Sequence, residues 1–149
     1  MTNEPDFIML IEDNNDHAEL MIRTLQNHRI PNRVRHFLDG ESALDYLFQR
    51  GSFNDPASAP RPLLVLLDLR LPRMDGIEVL KTIKSDENLK TIPVVILTTS
   101  DTDKDISSAY ANHANSYLVK PVGYDEISDL LESFARYWLE WNAQPKNKD

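Results

Sequence analysis

The chain has 149 residues, 41% of them hydrophobic and 27% charged, with a formal net charge of −8 and no cysteine. That size and balance suit one globular domain, and an acidic surface repels phosphate backbones and anionic lipid, so neither nucleic acid nor a membrane is expected as a partner. Disulfides, cysteine-ligated zinc and thiol catalysis are excluded, and with no signal-peptide core and no run near the roughly 20 apolar residues of a membrane span, a cytoplasmic protein is expected.

Residues 1–5 read as a flexible N-terminus. Phe7 to Ile11 is a short apolar strand that runs directly into two acids, Glu12 and Asp13. Asn14, Asn15 and Asp16 are good helix starters, and Ala18, Met21, Ile22 and Leu25 follow at helical spacing to about His28. Asn32 to Phe37 is a weaker strand. Asp39-Gly40 turns it into a helix whose inner stripe is Ala43, Leu44, Leu47 and Phe48. A loop broken by Pro56, Pro60 and Pro62 leads to Leu63-Leu64-Val65-Leu66-Leu67, an aliphatic run that suits a strand covered on both faces. Asp68 comes immediately after it. Leu71-Pro72 ends the extended run, and Met74-Asp75-Gly76 opens a helix carrying Ile77, Val79, Leu80 and Ile83. Pro93 to Leu97 is the next buried strand and delivers Thr98, Thr99 and Ser100 to its carboxyl end. Asp103 to about His113 is a weak helix with Ile106, Ala109 and Tyr110 as its apolar face. Ser116 to Val119 is a fifth strand ending in Lys120-Pro121, and the last helix runs from about Tyr124 to Asn142. Residues 6–142 form the domain, and 143–149 read as a flexible polar tail.

Five alternations of strand and helix specify an α/β fold: a doubly wound, five-stranded parallel sheet, flavodoxin-like, in the order 2-1-3-4-5. Ligands of such sheets bind beyond the carboxyl ends of the strands. Glu12, Asp13 and Asp68 therefore converge at the switch point between strands 1 and 3, with Thr98 and Lys120 closing the other side.

Three neighbouring carboxylates repel one another, and a cation or a raised pKa relieves the repulsion. A hard divalent ion suits oxygen ligands, and magnesium in particular keeps waters and is completed by phosphate oxygens. Asp68 is then a candidate nucleophile toward phosphorus, because an aspartyl carboxylate can form an acyl phosphate. Lys120 and the metal would flank the phosphoryl oxygens, and the Thr98 hydroxyl could donate to one of them. Taken singly, each residue also has a plainer reading, since acids after strands commonly cap turns and a Lys before Pro is commonly a solvated charge.

Ile11-Glu12-Asp13-Asn14, Leu67-Asp68-Leu69-Arg70-Leu71-Pro72-Arg73-Met74-Asp75-Gly76, Leu97-Thr98-Thr99-Ser100 and Tyr117-Leu118-Val119-Lys120-Pro121 together resemble the receiver domain of two-component response regulators. The resemblance implies that Asp68 is the phosphoacceptor, and that Glu12, Asp13, Asp68 and the backbone carbonyl of Arg70 bind magnesium. It also implies that Lys120 contacts the phosphoryl group, that Thr98 and Tyr117 form the switch pair, and that the Lys120–Pro121 peptide is cis. Arg70 and Ser100 occupy the two variable positions that tune phosphate lifetime in this family. Glu12 departs from the more usual Asp. The proline-containing loop, the Arg-Met-Asp-Gly turn and the long last helix are similar to the stand-alone regulators paired with cyanobacterial and bacterial phytochromes.

On that reading the chain accepts a phosphoryl group from a sensor histidine kinase, a phytochrome among the candidates, and loses it by slow autodephosphorylation. Any enzymatic activity is confined to those two steps. The kinase is expected to dock near His17, Leu20, Met21 and Pro121. With no length left for a DNA-binding domain, output is expected to pass to a downstream protein. A magnesium-dependent phosphatase of the haloacid dehalogenase type is the alternative, although that class places a second Asp where this chain has Arg70. A small flavin protein of the same fold would need a phosphate-binding loop after strand 1, where Glu12-Asp13 would repel the ligand.

Ile127, Leu131, Phe134, Trp138 and Trp141 recur at steps of four and three along the last helix. About 19 helical residues span about 28 Å, against roughly 17 Å for a five-residue strand, so the last turns are expected to overrun the sheet. The aromatic end is expected to stay partly exposed and to build a homodimer on the fourth helix, fifth strand and fifth helix, with Tyr110, Phe134, Tyr137, Trp138 and Trp141 contributing. The histidines His17, His28, His36 and His113 show no ligand spacing and read as surface or boundary residues.

Overall fold

The computed structural model describes residues 7–27 and 33–143. Its strands are β1 (Phe7–Ile11), β2 (Arg33–Phe37), β3 (Leu64–Leu67), β4 (Val94–Thr98) and β5 (Ser116–Val119). Its helices are α1 (Asn15–Asn27), α2 (Gly40–Leu47), α3 (Gly76–Ser85), α4 (Asp103–Ala111) and α5 (Tyr124–Ala135). All strand pairs are parallel, and the sheet order is β2-β1-β3-β4-β5, as the alternation of elements requires. The flexible N-terminus expected at 1–5, all but the first residue of the tail expected at 143–149, the end of the first helix at His28 and the start of the second strand at Asn32 lie outside the described residues.

The period-two geometry of a strand sorts its residues between two cores. Met9 and Ile11 of β1, Val65 and Leu67 of β3, and Val94 and Ile96 of β4 face the side covered by α2, α3 and α4. Ile8 and Leu10, Leu64 and Leu66, and Val95 and Leu97 face the side covered by α1 and α5. Both faces of the central strands are therefore apolar, which is why those strands read as unbroken aliphatic runs. The proline-broken loop holds two short 3₁₀ turns, Gly51–Phe53 and Pro56–Ser58.

Four expectations need correction. Leu20 and Met21 of α1 are buried against the sheet, so they offer no docking surface to a kinase. Leu20 lies on a buried stripe because it is one turn before buried Thr24, whose hydroxyl donates to the Leu20 carbonyl. The Lys120–Pro121 peptide is trans, as are all peptides of the described residues, and trans is the lower-energy isomer before proline by about 0.5–1 kcal/mol. The last helix is α-helical only to Ala135 and continues as a π-helical segment, Arg136–Trp141. Finally, Trp138 is not part of an exposed aromatic end. It is 7% exposed and packed into the core beside Ile127, Leu131 and Ala135, with its ring stacked on Phe134 at a centroid distance of 6.2 Å. The wider π turn rotates less per residue than an α turn, so Trp141, three positions on, fails to return to that face and is 79% exposed.

This division predicts very unequal stability effects at the two tryptophans. Trp138→Ala should lower unfolding stability by about 3–5 kcal/mol, and Trp141→Ala should change it by no more than about 0.5 kcal/mol. Urea denaturation of both variants checks it, and equal losses would contradict this packing.

Candidate functional site

Backbone hydrogen bonds that extend the sheet by one residue place the polar side chains. Ile11 and Leu67 are paired across β1 and β3, and the Asp68 N–H then donates to the Ile11 carbonyl at 3.0 Å. The Glu12 N–H donates to the Phe37 carbonyl at 3.0 Å, and the Lys120 N–H to the Thr98 carbonyl at 2.7 Å. Glu12, Asp68, Thr98 and Lys120 are thus fixed at the carboxyl ends of four adjacent elements, and all four are buried. Gly76 serves the same edge from below. A Cβ there would collide with the Asp68 carbonyl and stand 2.6 Å from the Leu69 Cα, so only glycine lets α3 begin this close to the acidic strand end.

Lys120 is the hub of the site. Its ammonium donates to Glu12 Oε1, to Asp68 Oδ2 at 3.2 Å and to His17 Nδ1 at 3.1 Å. An ammonium has three protons and no acceptor, so these partners use its full capacity and require His17 to carry its own proton on Nε2. Asp68 Oδ1 accepts from the Arg70 N–H at 3.0 Å, and Glu12 Oε2 accepts from the Asn14 N–H at 3.2 Å. The His36 ring contacts the Glu12 carbonyl at 2.6 Å.

Two carboxyls facing one ammonium divide their charge unequally. Burial, reinforced by the Asp68 charge and only partly offset by Lys120, pushes Glu12 from 4.5 up to about 7. Burial also acts to raise Asp68, but Lys120, a hydrogen bond from Glu12, the Arg70 N–H and the Thr98 hydroxyl outweigh it and hold Asp68 below the usual carboxylate value. The shared proton therefore sits on Glu12 and the negative charge on Asp68. Burial and the Lys120 ammonium lower His17, in keeping with a neutral ring that accepts a hydrogen bond.

Glu12, exposed Asp13 and Asp68 each offer an oxygen within 4.8 Å of the others. An all-oxygen set of this charge fits a hard divalent cation. On the opposite flank, Tyr117 is half-buried and its hydroxyl donates to the Ser100 carbonyl at 2.9 Å, which ties the two expected switch strands together. Ser100 is buried, and its hydroxyl donates to Asp105 Oδ2, the same oxygen that pairs with Arg70 Nη2 at 3.0 Å.

The structure thus brings together Glu12, Asp13, Asp68, Thr98 and Lys120, with Arg70, Ser100 and Tyr117 at the margin. Tyr110, Phe134, Tyr137, Trp138 and Trp141 lie apart from them, on α4, α5 and the π segment. The sequence reading placed His17 only on the kinase-docking surface, not beside Lys120, and it missed Asp105. A signal existed for His17, because a helix starting three residues after Glu12 carries its first turn over the same sheet edge. None existed for Asp105, whose partners come from other loops.

A sequence profile described as the response regulator receiver domain matches residues 8–132. The chain belongs to the response regulator receiver family. It is 45% identical over 142 residues to the probable methanogenesis regulatory protein FilR2 of Methanothrix harundinacea, a match covering 95% of this chain and 89% of FilR2. It is 37% identical over 144 residues to response regulator Rcp1 of Synechocystis, covering 97% of this chain and 96% of Rcp1. Two solved structures share its fold closely. The Mn2+-bound form of Rcp1 matches with a TM-score of 0.90 at 37% identity over 95% of this chain and 100% of that one. The phosphorylated cyanobacterial phytochrome response regulator RcpA matches with a TM-score of 0.89 at 38% identity over 96% of this chain and 100% of that one. The resemblance read from four short motifs therefore extends over nearly the full chain, and stand-alone regulators of the phytochrome type are among its relatives. No helix among the described residues is long and apolar enough to cross a membrane.

The Glu12 proton has a measurable consequence. Between pH 4.5 and about 7 the folded chain holds a proton that the unfolded chain has released, so the Glu12 contribution to stability is complete below that window and is lost as pH rises through it. In chelator-treated protein, the urea midpoint of Glu12→Gln should therefore gain on that of the parent from about pH 5 to about pH 7.5. A constant difference would count against a protonated Glu12.

Proposed function

We propose that the chain accepts a phosphoryl group on Asp68 from the phosphohistidine of a sensor kinase and carries it as a transient signal. The supporting observation is one ionised, partly accessible carboxylate held by a buried lysine, with an acidic cluster and a strand-end threonine beside it. In the transfer, an Asp68 oxygen forms a bond to phosphorus, the phosphorus–nitrogen bond of the donor breaks, and its electron pair returns to the imidazole. Hydrolysis later gives inorganic phosphate and restores the carboxylate.

The residues divide the task by charge. Asp68 is the nucleophile. Lys120, already 3.2 Å from Asp68, balances negative charge on the phosphoryl oxygens, and Thr98 donates its hydroxyl to one of them. Glu12, Asp13, Asp68 and the Arg70 carbonyl would hold magnesium, which supplies positive charge against the same oxygens and is the ion proposed here from the Mn2+-bound relative and the oxygen donor set. As Thr98 is drawn to the phosphoryl group, Tyr117 and the α4–β5–α5 face respond. That face carries exposed Tyr110, Tyr137 and Trp141, and a groove of about 320 Å³ between β5 and α5 is lined by Leu118, Phe134 and Tyr137, which supports a homodimer there. Trp138 backs the groove from inside the core. Rcp1 and RcpA favour a phytochrome as the kinase, with an as yet unidentified downstream protein reading the result.

Incubation with acetyl phosphate and magnesium should add one phosphoryl group to the intact mass. The adduct should be labile to hydroxylamine and absent from Asp68→Asn. A stable adduct, or one that persists in the variant, would refute Asp68 as acceptor. Sedimentation should show self-association that Tyr137→Ser and Trp141→Ser together abolish. A monomer at tens of micromolar, with or without a phosphate mimic, would remove the dimer.

A further inference from the structure

Arg70 and Ser100 come from different loops, one after β3 and the other after β4, yet both end on a single oxygen. Arg70 Nη2 and the Ser100 hydroxyl both meet Asp105 Oδ2, in the first turn of α4. Asp105 is itself fixed by its N–H, which donates to the Thr102 hydroxyl that caps the helix, at 3.2 Å. The other ends of the two partners reach the site. The Arg70 N–H is on Asp68 Oδ1, and the Ser100 carbonyl accepts from Tyr117. A polar chain therefore runs from the acceptor carboxylate through Arg70, Asp105 and Ser100 to the Tyr117 ring.

Resting on the reading of Asp68 as phosphoacceptor, we propose that Asp105 is a positioning residue for the acyl phosphate: it detains the Arg70 guanidinium on α4 and so keeps that cation off the phosphoryl oxygens. A guanidinium matches phosphate oxygens in a two-point geometry, and a phosphoryl group on Asp68 arrives within reach of the Arg70 side chain. The pair that holds it is modest, since Arg70 is 63% exposed and Asp105 22% exposed at the side chain, but Ser100 fixes the Asp105 carboxylate in place. Removing the Asp105 charge therefore sends the cation to the phosphoryl group.

The direction of the kinetic effect follows from the chemistry of hydrolysis. A water oxygen bonds to phosphorus, the bond from phosphorus to the Asp68 oxygen breaks, the electron pair returns to the carboxylate, and both of the water's protons end on inorganic phosphate. Water must approach phosphorus in line with the Asp68 oxygen that leaves, and a guanidinium lodged against the phosphoryl oxygens crowds that approach. With Asp105 in place, hydrolysis is the faster; without it, the slower.

The test phosphorylates five proteins with acetyl phosphate and magnesium: the parent, Asp105→Asn, Asp105→Glu, Arg70→Ala and the Arg70→Ala/Asp105→Asn double variant. After the donor is removed, loss of the phosphoryl group is followed by intact mass. Asp105→Asn should lengthen the half-life about threefold, the rate equivalent of an exposed ion pair. The same substitution should have no effect in the Arg70→Ala background, and Asp105→Glu should restore the parent half-life. An unchanged or shortened half-life in Asp105→Asn, or the same factor in both backgrounds, would overturn the proposal while leaving Asp68 as acceptor. A parent that forms no labile adduct would overturn both readings.

Discussion

The buried Lys120 ammonium is the constraint around which the carboxyl edge of the sheet is assembled. Two carboxyls, Glu12 and Asp68, lie with it inside the protein, where an unpaired charge costs several kcal/mol and where breaking a pair is more damaging than never having made it. β1 and β3, which bear the two carboxyls, are buried on both faces, so they cannot shift to relieve a missing partner without exposing a core. The arrangement is therefore a poor source of net stability and a strong determinant of geometry. It holds β1, β3 and β5 in a register that points one carboxylate, Asp68, toward any ligand at the sheet edge.

The same cluster explains how the site can accept charge without first being emptied. With a proton on Glu12, one ammonium faces one carboxylate inside, and exposed Asp13 supplies further negative charge at the rim. Loss of the Glu12 proton leaves an excess of negative charge that a divalent ion can balance. His17, neutral and accepting from Lys120, adds a hydrogen bond that does not compete for that charge.

Most of this was legible from order alone. Four of the five strands, all but β2, lead into a residue of the candidate site, and parallel pairing in the 2-1-3-4-5 order leaves those ends no place to go but together. What sequence order does not encode is the phase of a helix over the sheet. Leu20 and Met21 looked available because the inward stripe of α1 is wider than its first few apolar positions suggest. Trp138 was placed at an exposed end on the assumption of uniform α-helical pitch, which the π segment breaks. Asp105 meets Arg70 across 35 positions through two flexible-looking loops, and no spacing rule foretells that the hydroxyl of Ser100 joins them on one oxygen.

The five helices are not anchored equally. α3 sinks Val79, Leu80 and Ile83 completely into the core, whereas α4 commits Ala109 alone and is otherwise held by polar contacts at its ends. Apolar burial of about 25 cal/mol per Å² makes the first attachment worth several side chains and the second little more than a methyl group. Displacing α4 therefore requires little work, and a modification worth a few kcal/mol at the sheet edge is energetically sufficient to relocate it while leaving the rest of the domain undisturbed. The least anchored helix among the described residues thus begins close to the Asp68 carboxylate, where a small chemical input has a large mechanical effect.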